Sequence, residues 1–164
     1  MKIRFISDLH LGHKSICDFS GEYRGNCTTV EEHDQWIEEQ WNSVVNKRDL
    51  VWVLGDVAFS KDAIKRLKKM RGSKHLIIGN HDRFPLALYL EYFNKIHGFL
   101  KYKGFWLSHP PIHPNELRGK QNISGHTHST PINDSRYFSV SAEMCAGKPI
   151  DLETVRMIME SKSQ

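Results

Sequence analysis

Seven side chains in this sequence are of types that hold metal ions. They are Asp8 and His10 in "DLH", Asp56 in "GDV", Asn80 in "GNHD", His109 in "SH", and His126 and His128 in "GHTH". Two carboxylates, one amide oxygen and four imidazoles form a mixed hard and borderline donor set. Such a set suits manganese, iron or zinc, whereas calcium prefers an all-oxygen shell. Taken singly each residue has an ordinary explanation, because an Asp that ends a strand usually forms a turn and a lone His is usually surface or satisfied core. Turns use Asp, Asn and Gly, but they have no need of four histidines.

The elements that must position these groups follow from the apolar pattern. "IRFIS" (3–7), "LVWVL" (50–54) and "HLII" (75–78) are short apolar runs that predict buried strands. "KIHGFLKYKGFWLS" predicts paired strands turning near Gly98 and Gly104, and "NIS" and "YFSVS" predict further strands. Each polar motif begins just past one of these strands, where open α/β sheets place their ligands. The i, i+2 spacing in "DLH" and "HTH" predicts two side chains on the same side of extended backbone. The glycines before Asp56, Asn80 and His126 allow a sharp turn and leave space near a bound anion.

Between the strands lie helices. Thr28 and Thr29, each followed by a glutamate, predict two overlapping capping-box registers for a helix through about Asn46, with Trp36, Ile37, Trp41, Val44 and Val45 on its inner face. Ser60 predicts a cap for a helix to about Met70, Pro85 a short helix to about Tyr92, and Asp151 a cap for the last helix. Strand and helix alternation followed by strand-rich sequence predicts a layered α/β domain.

With 164 residues, residues 1–164 are expected to form one domain with a single core. An apolar share of 39% against 26% charged excludes a disordered chain, and no apolar run reaches the ~20 residues of a membrane span. A soluble, cytoplasmic protein with no membrane partner is the expectation. Three cysteines without CxxC spacing argue against a disulfide framework or a zinc finger, so reduced thiols are expected. The net charge of +4 permits a polyanionic partner without requiring one.

The order DxH, GDx, GNHD, SH, GHTH resembles the calcineurin-like metallophosphoesterases and spans residues 8–128. That resemblance implies a four-layer αββα sandwich around two divalent transition metals, manganese first, with iron, zinc or nickel as alternatives. It assigns Asp8, His10 and His128 to one metal and Asn80, His109 and His126 to the other, with Asp56 bridging. His81 would stand beside the substrate phosphate, and Asp82 would orient its ring. The implied reaction is attack by a metal-activated hydroxide on a small, nucleotide-like phosphodiester or phosphomonoester.

The surrounding loops must set specificity. His13 and Arg83, each within a few residues of a ligand candidate, are the preferred phosphate contacts, ahead of Lys14, Arg24, His113, Arg118 and Lys120. Trp106, Tyr102 and Phe105 could stack a base, although core packing is the simpler role for strand aromatics. "DLHL" and "GNHD" stand where the protein-phosphatase branch shows DxHG and GNHE, which favours a phosphodiesterase over a protein phosphatase. A nuclease on DNA or RNA is the second reading, resting on "KRLKKMRGSKH". In a helix from Ser60, however, Lys68, Lys69 and Arg71 would lie roughly 12 to 15 Å further from the site. A catalytically silent scaffold is third, because every motif position is kept. The sequence is silent on the oligomeric state.

Overall fold

The computed structural model describes residues 1–163. Two sheets face each other. The first holds β1 (Ile3–Ile6), β2 (Leu50–Val53), β3 (Ser73–Ile77), β4 (Lys95–His97) and β9 (Ile150–Asp151), in the order β4-β3-β2-β1-β9. The second holds β5 (Leu100–Tyr102), β6 (Phe105–Leu107), β7 (Gln121–Ser124) and β8 (Tyr137–Ser139), in that order. Strands β1 to β4 run parallel, as do β6 to β8, so each sheet presents several carboxyl ends along one edge.

Alternation along β2 explains the layering. Val51 and Val53 enter one apolar cluster with Ile37, Trp41, Ile64 and Leu67 from the helical side. Trp52 and Leu54 enter a second cluster with Phe105, Leu107 and Ile123 of the other sheet. Both faces of the first sheet are thereby covered, as a parallel sheet requires. Helices flank the pair of sheets, which is the expected α/β sandwich.

α1 (Ile16–Ser20) lies in the loop after β1, and α2 (Val30–Val44) follows it. Of the two expected capping registers, Thr29 with Glu32 forms the box: the Thr29 hydroxyl accepts from the Glu32 amide and the Glu32 carboxylate accepts from the Thr29 amide. α3 (Leu86–Tyr89) follows Pro85, and α4 (Leu152–Lys162) is capped by Asp151, which accepts from the Thr154 amide at 3.1 Å. The α4 stripe Leu152, Val155 and Met159 packs into the second cluster.

Three expectations are corrected. The segment after Ser60 forms a short 3-10 helix (Ala63–Lys68) where an α-helix to Met70 was expected, although the Ser60 hydroxyl does accept from the Ala63 amide. Gly98 does not turn a hairpin, because β4 pairs with β3 while β5 pairs with β6, so the chain crosses between sheets there. Cys17 and Cys27 are joined by a disulfide with Cα atoms 5.5 Å apart, and Cys145 alone is free. Folding of the α1 loop brings the pair together, a proximity that cysteine spacing does not encode.

No helix among the described residues is long and apolar enough to cross a membrane. At the opposite end from the site, buried Asp49 ties β1 to the turn before β2. Its carboxylate accepts from the Lys2 amide at 2.8 Å, the Asn46 amide at 3.1 Å and Arg4 Nε at 3.2 Å. Burial alone would raise the Asp49 carboxyl, and these hydrogen bonds outweigh it, holding it below the ordinary 3.8. A depressed native pKa adds stability that is present above 3.8 and is lost as pH falls through the native value. Asp49→Asn should therefore lower urea stability at neutral pH and flatten the acid limb of the stability–pH curve. An unchanged acid limb would remove Asp49 from that role.

Candidate metal centre

The motif residues gather where the parallel strands of both sheets end. Asp8 and His10 follow β1, Asp56 follows β2, Asn80 follows β3, His109 follows β6, and His126 and His128 follow β7. Asp8 is fully buried, and its Oδ2 accepts from Ser7 Oγ at 2.6 Å, Ser141 Oγ at 2.9 Å and the His126 amide at 2.9 Å. Its Oδ1 is buried without a hydrogen-bond partner among the described residues, and so is Nε2 of His10. These two bare atoms face the same centre, since His10 Nε2 lies 3.9 Å from Asp8 Oδ1 and 3.5 Å from Asp56 Oδ2. His128 Nε2 is also 3.9 Å from Asp8 Oδ1.

A second group adjoins the first through Asp56. His109 Nε2 lies 3.3 Å from Asp56 Oδ2, 2.9 Å from Asn80 Oδ1 and 3.3 Å from His126 Nδ1. His126 Nδ1 is 3.1 Å from Asn80 Oδ1. Asp8 Oδ1 and His10 Nε2, buried and bare, together with these closely spaced oxygen and imidazole nitrogen atoms, are a donor set that suits cations. The residues present therefore fit a metal site. By proximity, Asp8 with His10 and His128 forms one group, and Asp8 with Asp56 and His109 forms another.

The ring orientations have visible causes. His109 Nδ1 donates to the Leu54 carbonyl at 2.7 Å, which turns Nε2 inward. His128 Nδ1 donates to Glu143 Oε1 at 3.0 Å, and His10 Nδ1 meets His13 Nδ1 at 3.1 Å, one of the two donating. Burial lowers the His10 imidazole to about 4, so it stays neutral and keeps its lone pair. Burial opposes charge on His109 as well, but the hydrogen bond and charge of Asp56, with the charge of Asp8, raise it above its ordinary value. For Asp56 itself, burial would raise the carboxyl, and His10 and His109 outweigh it and hold it well below the usual range.

The backbone here differs from the expected extended form. Asp8, His10, Asp56, His126 and His128 all have positive φ, between 49° and 70°. Side chains two apart thus share the centre through left-handed turns, without strand alternation. The glycines also serve differently than expected, since the space they leave is filled by the site's own side chains. A Cβ on Gly125 would collide with Ser7 Oγ and Asp8 Oδ2, and one on Gly79 would collide with Asp56.

Among the remaining candidates, His81 is half-buried, its amide donates to Asp56 Oδ1 at 2.9 Å, and its ring centroid is 6.0 Å from that of His10. His13 sits beside His10 at the same centre, and Arg83 is exposed with Nε 3.5 Å from the Asn80 carbonyl. Two expected roles are corrected. Asp82 does not orient the His81 ring: its oxygens accept from the amides of Gly79, Asp56 and Val57 at 2.8, 2.9 and 2.8 Å, which fastens the loops after β2 and β3 together. Arg24 is no substrate contact, because it is fully buried. Its guanidinium donates to the Asp8 carbonyl at 2.7 Å, the Leu9 carbonyl at 3.3 Å and Glu143 Oε1 at 2.8 Å. Of the aromatics weighed for base stacking, Phe105 is core and Tyr102 packs against Trp52, while Trp106 stacks on Phe99. Glu143, Ser7 and Ser141 escaped sequence reasoning, since none lies in a motif, and Glu143 and Ser141 act on segments far away in the chain.

A family profile described as calcineurin-like phosphoesterase matches residues 1–144. An uncharacterized protein of Methanocaldococcus jannaschii is 31% identical over 97% of this chain and 92% of its own length. The Gene 66 protein of Mycobacterium phage L5 is 42% identical over 83 residues, 48% of this chain and 38% of that protein, so the match reaches well under half of the phage relative. The solved structure of a protein of unknown function from Aquifex aeolicus has the same fold, with a TM-score of 0.76 at 24% identity over 96% of this chain and 98% of that one.

Glu143 supplies a test of this geometry. Burial opposes its charge, but His128 and Arg24 outweigh burial and hold the carboxyl at about 2, so it is an anion facing the His128 N–H. Outer-shell partners of this kind typically change metal affinity by about 10- to 100-fold. Glu143→Gln is expected to weaken manganese binding to metal-stripped protein by that factor, read by calorimetry. Affinity equal to the parent protein would show that His128 does not need the contact.

Proposed function

The chain belongs to the calcineurin-like phosphoesterase family, and from that premise we propose that it hydrolyses small phosphoesters at a centre of two divalent metals. The observation that carries the proposal is the pair of buried, partnerless donors, Asp8 Oδ1 and His10 Nε2, with Asp56 Oδ2 lying between them and His109. Asp8, His10 and His128 would hold one ion, Asn80, His109 and His126 the other, and Asp56 would reach both. When bound, the ions acidify a water and offset charge on the phosphate oxygens.

The chain's own residues would do the rest. Asp8 and Asp56 stay anchored by the hydrogen bonds to Oδ2 and Oδ1 respectively, which frees their other oxygens for the centre. His81, held at its backbone by Asp56 Oδ1, is placed to donate a proton to the leaving oxygen, typically worth about 10² to 10⁴ in rate. Arg83 at the rim and His13 beside His10 are the candidate phosphate contacts. Asn80 and His126 are exposed, so the centre opens to solvent on that side and admits a small diester or monoester. Manganese is the first expectation for the metal, with iron, zinc or nickel within the same donor chemistry.

A nuclease ranks second. Much of the basic segment is occupied internally: Lys65 pairs with Asp62 at 2.7 Å, Arg66 with Glu38 at 3.1 Å, and Arg71 donates to the Asn42 carbonyl at 3.2 Å. Cleavage of single-stranded DNA that falls steeply with salt and is lost on neutralising Lys68, Lys69 and Arg71 would reverse this order.

Metal-stripped protein should recover hydrolysis of bis-(p-nitrophenyl) phosphate on addition of manganese, and binding of about two ions per chain should fall in Asp56→Asn. Stoichiometric metal with no turnover on any phosphoester would instead indicate a scaffold. His81→Ala should keep its metals and lose about 10²- to 10⁴-fold in kcat on an alkoxide-leaving nucleotide ester, with a smaller loss when p-nitrophenolate leaves. Equal losses on both esters would make His81 a phosphate contact and not an acid.

A further inference from the structure

The loop between β1 and α2 carries a feature outside the motif set. Phe19, on α1, is 61% exposed and belongs to neither apolar cluster. One exposed aromatic is ordinary by itself. Phe19, however, ends a row of rings that runs into the metal centre. Its ring centroid is 5.4 Å from that of His13, which stacks on Phe59 at 4.2 Å with the planes 10° apart. Phe59 in turn lies 5.0 Å from the His10 ring and 5.1 Å from the His81 ring.

The row is held in place. Ile16 is fully buried three residues before Phe19, the Cys17–Cys27 disulfide closes the loop around it, and Arg24 fixes the loop from beneath through the Asp8 and Leu9 carbonyls. An aromatic surface that is already ordered loses little entropy when a flat ring stacks on it. A ring placed there would lie on the His13 side of the centre, where the His13 ring centroid is 5.3 Å from that of His10.

We propose that Phe19, braced by the stacked His13 and Phe59 rings, is the subsite for the nucleobase of a nucleotide-type phosphoester, with His13 itself left to the phosphate. This inference rests on the phosphoesterase reading for the position of the phosphate. It assigns base preference to stacking, which every base can satisfy, so selection among bases should be weak.

The test compares two ligands that differ by the base alone. The non-hydrolysable methylenephosphonate analogues of adenosine 5′-monophosphate and of ribose 5-phosphate are titrated into manganese-loaded protein by calorimetry. The parent protein should bind the nucleotide more tightly. Phe19→Ala should reduce that preference by about 5- to 150-fold, the range of base–aromatic stacking, and Phe19→Trp should keep it. Equal affinity for the two ligands in the parent protein, or a preference that survives Phe19→Ala, would overturn the proposal. Because the readout is binding, a failed subsite is distinguishable from a failed hydrolase, which is read from turnover of bis-(p-nitrophenyl) phosphate.

Discussion

The two oxygens of Asp8 divide the labour on which this structure depends. Oδ2 is saturated by Ser7, Ser141 and the His126 amide, groups from the ends of β1, β8 and β7. Oδ1 is left buried and bare. The first oxygen stitches the two sheets together at their carboxyl edge, beside the backbone bonds from the Ser7 amide to the Val140 carbonyl and from the Ala142 amide to the Ser7 carbonyl. The second keeps a negative charge aimed at the centre. A buried carboxylate with an unpaired oxygen is costly, and a cation offsets that cost.

The same trade recurs along the edge. Five ligand candidates hold left-handed backbone, a conformation that costs a non-glycine residue of order 1 to 3 kcal/mol when it is enforced. The enforcement comes from close packing at Gly79 and Gly125, where nothing larger than hydrogen fits, and from Asp82, whose carboxylate binds the amides that flank Asp56. Burial raises the Asp82 carboxyl even against those bonds. Stability spent in the loops is thus converted into fixed positions for donor atoms.

Beneath the first donor group lies a buried charge relay of position. Arg24 holds the Asp8 carbonyl and the Glu143 carboxylate at once, and Glu143 holds His128. Two candidate ligands of one ion are therefore set by a single guanidinium, whose five donors and planar fork suit this use. The loop that supplies Arg24 also supplies His13 and Phe19, so the support of the centre and the wall beside it are parts of one segment.

Much of this was legible in the residues alone. The apolar runs at 3–7, 50–54 and 75–78 marked β1, β2 and β3 because burial on both faces leaves an uninterrupted apolar signal. Each motif follows its strand within a few residues, so local order along the chain placed Asp8, Asp56, Asn80, His109 and His126 at strand ends. The Thr29 and Glu32 cap is likewise a three-residue pattern. Contacts between distant segments carry no such signal: Arg24 and Glu143 are 119 positions apart, and Ser141 and Asp8 are 133 apart. Asp82 looked like a partner for the neighbouring His81 and turned instead to amides 25 and 26 positions away. Cys17 and Cys27 became partners only when the α1 loop folded back on itself. The sequence by itself determined which donor types exist and which strand end each one follows, because those depend on neighbours in the chain. Tertiary structure alone decided which oxygen of each carboxylate stays bare and which ring nitrogen points inward, because those choices are made by hydrogen bonds between elements that meet only in the folded state.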